Sequence, residues 1–159
     1  GGGGEGAAPG AGRAGGGVAV GGGAPAVANY VPAVRSGRLV FLAGQIARGP
    51  DGKFLTGKVG ADCTEAQAAD AARTCTLQLL AALKAEIGDL GRVTRVVRVG
   101  GFVHCTPDFT AQPKVVNGAS DLLVAVFGER GRHARAAVGV AALPAGAPVE
   151  VEMVVEIAE

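Results

Sequence analysis

Tryptophan is absent from this 159-residue chain, and tyrosine occurs once beside five phenylalanines. So few aromatics leave no platform on which successive bases could stack. A charge surplus is missing too: 15 Lys and Arg stand against 14 Asp and Glu. Phosphate contacts need clustered positive charge, so the balance argues against a nucleic-acid partner. No apolar run approaches the ~20 residues of a bilayer span. No basic stretch leads into an apolar one at the N-terminus, so no secretory leader is expected. Cys63, Cys75 and Cys105 lack C-x-x-C spacing, and an odd number of scattered thiols suits a reducing compartment. A cytoplasmic protein is the resulting expectation.

What remains is an apolar fraction of 48% with 18% charged residues, the composition of one globular domain able to bury a core. Residues 1–26 stand apart. They hold nearly half of the 28 glycines, and such a stretch offers little side-chain surface to offset backbone entropy. It is expected to be a flexible segment ahead of a single domain over 27–159.

Within that domain, Val34–Leu42 reads as a hairpin around Ser36-Gly37. Gly49-Pro50-Asp51-Gly52 is a further turn. Asp62 with Glu65, and Thr64 with Gln67, both have capping-box spacing for a helix start. Ala68, Ala72, Cys75, Leu79, Leu83 and Ile87 then recur at helical intervals, and Gly88 supplies a stop. The Ala-rich end of that stripe permits close approach to a sheet. Arg92–Cys105 is a Val-dense strand with Val93, Val97, Val99 and Val103 on one face, and Gly100-Gly101 predicts a bulge or bend. Pro113–Phe127 is a second helix, with Val116, Leu123 and Phe127 inward. Arg135–Leu143 and Val149–Ile157 close the chain as strands. The order β-β-α-β-α-β-β predicts an α/β (α+β) sandwich, with both helices on one face of a mixed sheet.

Several chemical motifs fail on inspection. Gly52–Val59 nearly spells a phosphate loop, but Val59 replaces the Mg²⁺-binding hydroxyl and the helix starts too late. His104 and His133 have no helical or strand partners for a metal, and no cofactor is implied. His104 alternates with the valine face and could look into a cleft. Cys63, near a helix start, could have a depressed thiol pKa. Arg135 is more informative. Ala136, Val138 and Val140 form an apolar face, taken as core, leaving Arg135, Ala137 and Gly139 on the other. An arginine beside two tiny side chains is a way to build a carboxylate pocket, because guanidinium binds carboxylate bidentately.

Tyr30, Ala43-Gly44-Gln45-Ile46, Asn117 and Arg135–Pro144, followed by Val149-Glu150-Val151-Glu152, resemble the YjgF/Rid family over residues 29–158. The resemblance implies a chorismate-mutase-like fold and a homotrimer with small-molecule clefts between subunits. It also implies hydrolysis of 2-imino acids, or enamine tautomers such as 2-aminoacrylate, to 2-keto acids and ammonia. By the same resemblance Arg135 would grip the substrate carboxylate and Glu150 would position or activate water. Tyr30, Gly44 and Asn117 would line the cleft. Ala137 stands where a cysteine is common. Ala28-Asn29-Tyr30 replaces Gly-Pro-Tyr, Ala47 replaces the proline of Gly-Gln-Ile-Pro, and the Asn117–Arg135 stretch is one residue longer, as in a divergent subgroup. Two alternatives stay open: a non-catalytic trimer that binds small carboxylates, and the ribonuclease or translation-inhibitor role with which some relatives are labelled.

Overall fold

The computed structural model describes residues 12–13, 18–21 and 29–159. Most of the expected flexible segment therefore lies outside the described residues. Two short strands fall within it, β1 (Gly12–Arg13) and β2 (Ala19–Val20), paired antiparallel. Val20 is buried in the main core and Val18 packs against it.

The predicted hairpin is β3 (Ala33–Ser36) and β4 (Leu39–Ile46), joined through Gly37 in the left-handed region at φ +61°. Helix α1 (Glu65–Ile87) starts at the second of the two candidate caps. Thr64 accepts from the Gln67 amide and the Gln67 side chain accepts from the Thr64 amide, which satisfies two orphan donors reciprocally. Asp62 instead accepts from the Lys58 amide and fixes the preceding turn. Gly88 ends α1 at φ +86°. The phosphate-loop look-alike is a structural connection. Val59 is buried and bridges to Cys63 and Cys105, and no helix follows it directly.

Strand β5 (Val93–His104), helix α2 (Gln112–Phe127), strand β6 (Ala134–Val140) and strand β7 (Val149–Ile157) complete the domain. The sheet order is β3-β4-β7-β5-β6, with β5 and β6 parallel and every other pairing antiparallel. Both helices cover one face. They also meet each other closely, since a Cβ at Gly118 of α2 would collide with the Ala69 carbonyl of α1. The small residues of α1 thus serve a helix–helix contact as well as the sheet.

Two expectations about strand faces are corrected. In β5 the buried valines are Val93, Val96, Val99 and Val103, and Val97 is exposed. Bulges against β7 between Val93 and Arg95 and between Val96 and Arg98 change the parity of the alternation. The Gly100-Gly101 pair carries no bulge. A Cβ at Gly101 would meet the Val116 side chain, and one at Gly100 would press on Glu152, so the pair admits a neighbour on each face.

The second correction concerns β6. Its register is Val99↔Arg135, Gly101↔Ala137 and Val103↔Gly139. Paired residues share a face, and Val99 and Val103 are fully buried beneath the helices. Arg135, Ala137 and Gly139 are therefore on the helix side, and Ala137 packs against the core. Ala136, Val138 and Val140 lie on the open face, where Val138 is 46% exposed. Apolarity misled here because α2 comes so close to this edge strand that only small side chains fit beneath it. β6 also ends at Val140, short of the expected Leu143.

Candidate functional site

Helix α2 and the edge strand β6 hold the first half of the site. Asn117 and Ser120 are one helical turn apart and so face the same way. Arg135 Nη1 donates to Asn117 Oδ1 at 2.8 Å and to Ser120 Oγ at 3.1 Å, and Nη2 donates to the Pro113 carbonyl at 3.4 Å. All three acceptors are neutral. None of the ion pairs among the described residues involves Arg135. Of five guanidinium N–H donors, three are thus used to fix the group. The Nε–H and one Nη2–H have no acceptor among the described residues, and a carboxylate matches a guanidinium Nε–Nη2 pair with two parallel bonds.

Ser120 does not stand alone. Its Oγ lies 2.8 Å from His133 Nε2, and His133 Nδ1 lies 2.6 Å from the Gly131 carbonyl. A carbonyl oxygen only accepts, so Nδ1 carries the ring proton and Nε2 is left as acceptor for the Ser120 hydroxyl in the neutral ring. Its spacing to other residues gives His133 no metal-ligand partner in the sequence. The legible signal was Ser120, three residues after Asn117 and so on the same helix face.

Towards the far end of β6, at Gly139 and Val140, lies an open cavity of about 390 Å³ that neither Arg135 nor Asn117 lines. Cys105, Phe109, Gln112 and Gly139 line part of it. A side chain at Gly139 would press on the Cys105 sulfur and the Gln112 amide.

The second half is on the open face of the sheet. Glu150 pairs with Phe102 and Ile46, alternating with the buried Val149 and Val151. A Cβ at Gly44 would come within 2.8 Å of Glu150 Oε2, so only glycine leaves the carboxylate its place. No ion pair among the described residues neutralises Glu150. Burial, and then the charge of Glu152, hold its carboxyl above the ordinary 4.5. Tyr30 is 49% exposed and lines an open groove of about 490 Å³ on this face, with Val34, Phe41, Arg98 and Glu152.

The structure therefore brings together Arg135, Asn117 and Ser120 on one side and Glu150 with Gly44 on the other, while Ala137, on the Arg135 face of β6, packs against the core. Within one chain it does not bring Arg135 to Glu150. Neither Cys63 nor Cys75 has the lowered pKa of a nucleophilic thiol. Burial and the Asp62 charge push the Cys63 thiol up, against the depression expected at a helix start. Cys63 precedes the cap Thr64 and donates to its carbonyl at 3.6 Å. Cys75, as expected from its place on the apolar stripe, is core, and burial and Glu150 push its thiol to about 12. His104 alternates with the buried Val103 and so shares the open face with Phe102 and Glu150, and its Nδ1 is buried without a hydrogen-bond partner among the described residues. No three His, Cys, Asp or Glu side chains cluster as a metal site among the described residues. No described helix is long and apolar enough to cross a membrane.

A family described as "YjgF/chorismate_mutase-like, putative endoribonuclease" matches residues 13–157. The chain belongs to the YjgF/Rid family. Protein TCP17 of Trypanosoma cruzi is 50% identical over 135 residues, which is 84% of each chain. Among solved structures, protein Atu1372 of Agrobacterium tumefaciens, of unknown function, is 48% identical. It superimposes with a TM-score of 0.79 over 82% of this chain and 83% of its own. RidA of an Antarctic Psychrobacter is 29% identical with a TM-score of 0.58, over 85% and 94%. The YjgF/Rid fold accounts for the mixed five-stranded sheet with two helices on one face.

Proposed function

We propose that this chain hydrolyses 2-imino acids in clefts built between copies of itself. The reading rests on Arg135, a guanidinium oriented by neutral acceptors alone, with a free edge and its charge left for a ligand carboxylate. Such a fork holds the carboxylate of a 2-imino acid in one orientation, with the C2=N bond in a fixed place.

Glu150 supplies the second requirement. A carboxylate held above its ordinary range, with no ion pair to it among the described residues, is suited to take a proton from water. Water adds its oxygen to C2 as Glu150 takes one water proton and returns it to the imine nitrogen, giving a neutral carbinolamine. Glu150 then takes the hydroxyl proton and passes it to the amino group, so the C–N bond breaks and ammonia leaves as the C2=O bond forms. Water is the only co-reactant.

Because the two groups leave opposite faces of one sheet, a cleft that uses both takes Arg135 from one copy and Glu150 from another. The open face favours such assembly: Tyr30, Val31, Val34, Phe41 and Val138 are each 45–57% exposed there, and an apolar patch of this kind favours cover by a partner. We assign the assembly as a homotrimer, acting in the cytoplasm. The test is release of ammonia and keto acid from an imine generated by an amino-acid oxidase, with and without the protein. A rate no higher than in buffer would leave a carboxylate-binding trimer instead.

A further inference from the structure

We infer that Ser120 and His133 are positioning residues that hold Arg135 in its ligand-ready orientation, an inference that rests on the carboxylate site proposed above. The observation is a one-directional series of hydrogen bonds. Arg135 Nη1 donates to Ser120 Oγ, the Ser120 hydroxyl donates to His133 Nε2, and His133 Nδ1–H donates to the Gly131 carbonyl. Each bond sets the direction of the next, and polarisation along such a chain strengthens its members.

The far end is anchored by the backbone. Gly131 is buried, and a Cβ there would collide with the Leu123 carbonyl of α2, so the turn before β6 is pressed onto the helix. Its carbonyl is a fixed point from which the imidazole tautomer is chosen. The tautomer commits the serine proton to Nε2, and the serine lone pairs are then left facing the guanidinium. Asn117 holds the other Nη1 hydrogen independently. Two acceptors of different origin thus close off the Nη1 end and turn the Nε–Nη2 edge outward. Neither Ser120 nor His133 has to touch the ligand to do this.

Pyruvate serves as the probe, titrated by calorimetry, with the melting temperature read for every variant. Ser120→Ala is expected to weaken pyruvate binding by roughly tenfold to a hundredfold, as loss of one hydrogen bond to a charged group does, and His133→Leu, which removes only a bond to the neutral serine, by roughly threefold to tenfold. His133→Gln keeps an acceptor near the Nε2 position and is expected to bind within about threefold of wild type. A structural role alone would give no such recovery. Ser120→Ala is a small change on an α-helix and carries the test if His133→Leu does not fold. Arg135→Ala separates the two readings. If it abolishes binding while Ser120→Ala and His133→Leu bind as wild type, the positioning inference is overturned and the site stands. If Arg135→Ala itself binds as wild type, both fall.

Discussion

Arg135 and Glu150 lie two strands apart in one sheet, with β5 between them, and their side chains leave it from opposite faces. Arg135 is in register with Val99 and Glu150 with Phe102. Those two β5 residues are three apart and so alternate in face. One chain thus carries two half-sites, one a cation fixed by neutral acceptors and the other an acid without a described cation.

Arg135→Lys tests the first half-site. Lysine keeps the charge but loses the planar fork, so pyruvate affinity should fall about tenfold or more while stability moves by only about 1 kcal/mol. Calorimetric titration beside chemical denaturation separates the two effects. An affinity equal to wild type would remove the guanidinium from ligand binding.

Glu150→Gln tests the second. Activity needs the carboxylate form, and burial with Glu152 raises the pKa. The rate of imine hydrolysis should therefore fall as pH drops through a value above 4.5, and the variant should lack that limb. It should also lose at least about tenfold in rate at neutral pH, with pyruvate binding kept. The same shift has a stability sign. The folded state holds this proton more tightly than the unfolded one, so stability declines as pH rises from the ordinary carboxyl range through the raised value. Glu150→Gln should remove that decline, and thermal melts of both proteins across the acid range would reveal it.

Much of this was legible beforehand because local chemistry dictated it. The Thr64–Gln67 reciprocal cap, Gly37 and Gly88 beyond their elements, and the Val149–Ile157 alternation each have a short-range cause. The β6 faces were not legible, because they depend on how closely α2 approaches, a tertiary fact carried by Gly139 and Ala137. The Val97 assignment failed for the same kind of reason: a bulge is invisible to a period-2 count. Arg135, Ala137 and Gly139 do share one face, as their spacing implies, although that face is the helix side of the sheet. Asn117 and Arg135 come together only through the family resemblance, and the pairing of Ser120 with His133 is set by the approach of the turn before β6 to α2, which no residue spacing shows.

Val20 gives the glycine-rich segment an anchor that composition did not single out. It is 2% exposed within the core. Val20→Ala should cost about 1–2 kcal/mol of stability, measured by urea denaturation. A change indistinguishable from zero would detach β2 from the domain.

Ala145 has φ +57° in the turn before β7, a left-handed conformation that a Cβ disfavours. Ala145→Gly should stabilise the fold by about 0.5–1 kcal/mol. A loss of stability in the same melt would show that the methyl group contributes packing that outweighs the strain.

The most direct measurement of the central claim mixes two disabled proteins. Arg135→Ala lacks the clamp and Glu150→Gln lacks the base, and neither should hydrolyse an oxidase-generated imine appreciably. Co-expressed in equal amounts, they form clefts with every combination of neighbours. If each cleft takes its arginine from one copy and its glutamate from the next, about one quarter of clefts are intact in a randomly mixed ring. The mixture should then recover about a quarter of the wild-type rate per cleft. A mixture no more active than its parents, beside an active wild type, would contradict a site shared between chains.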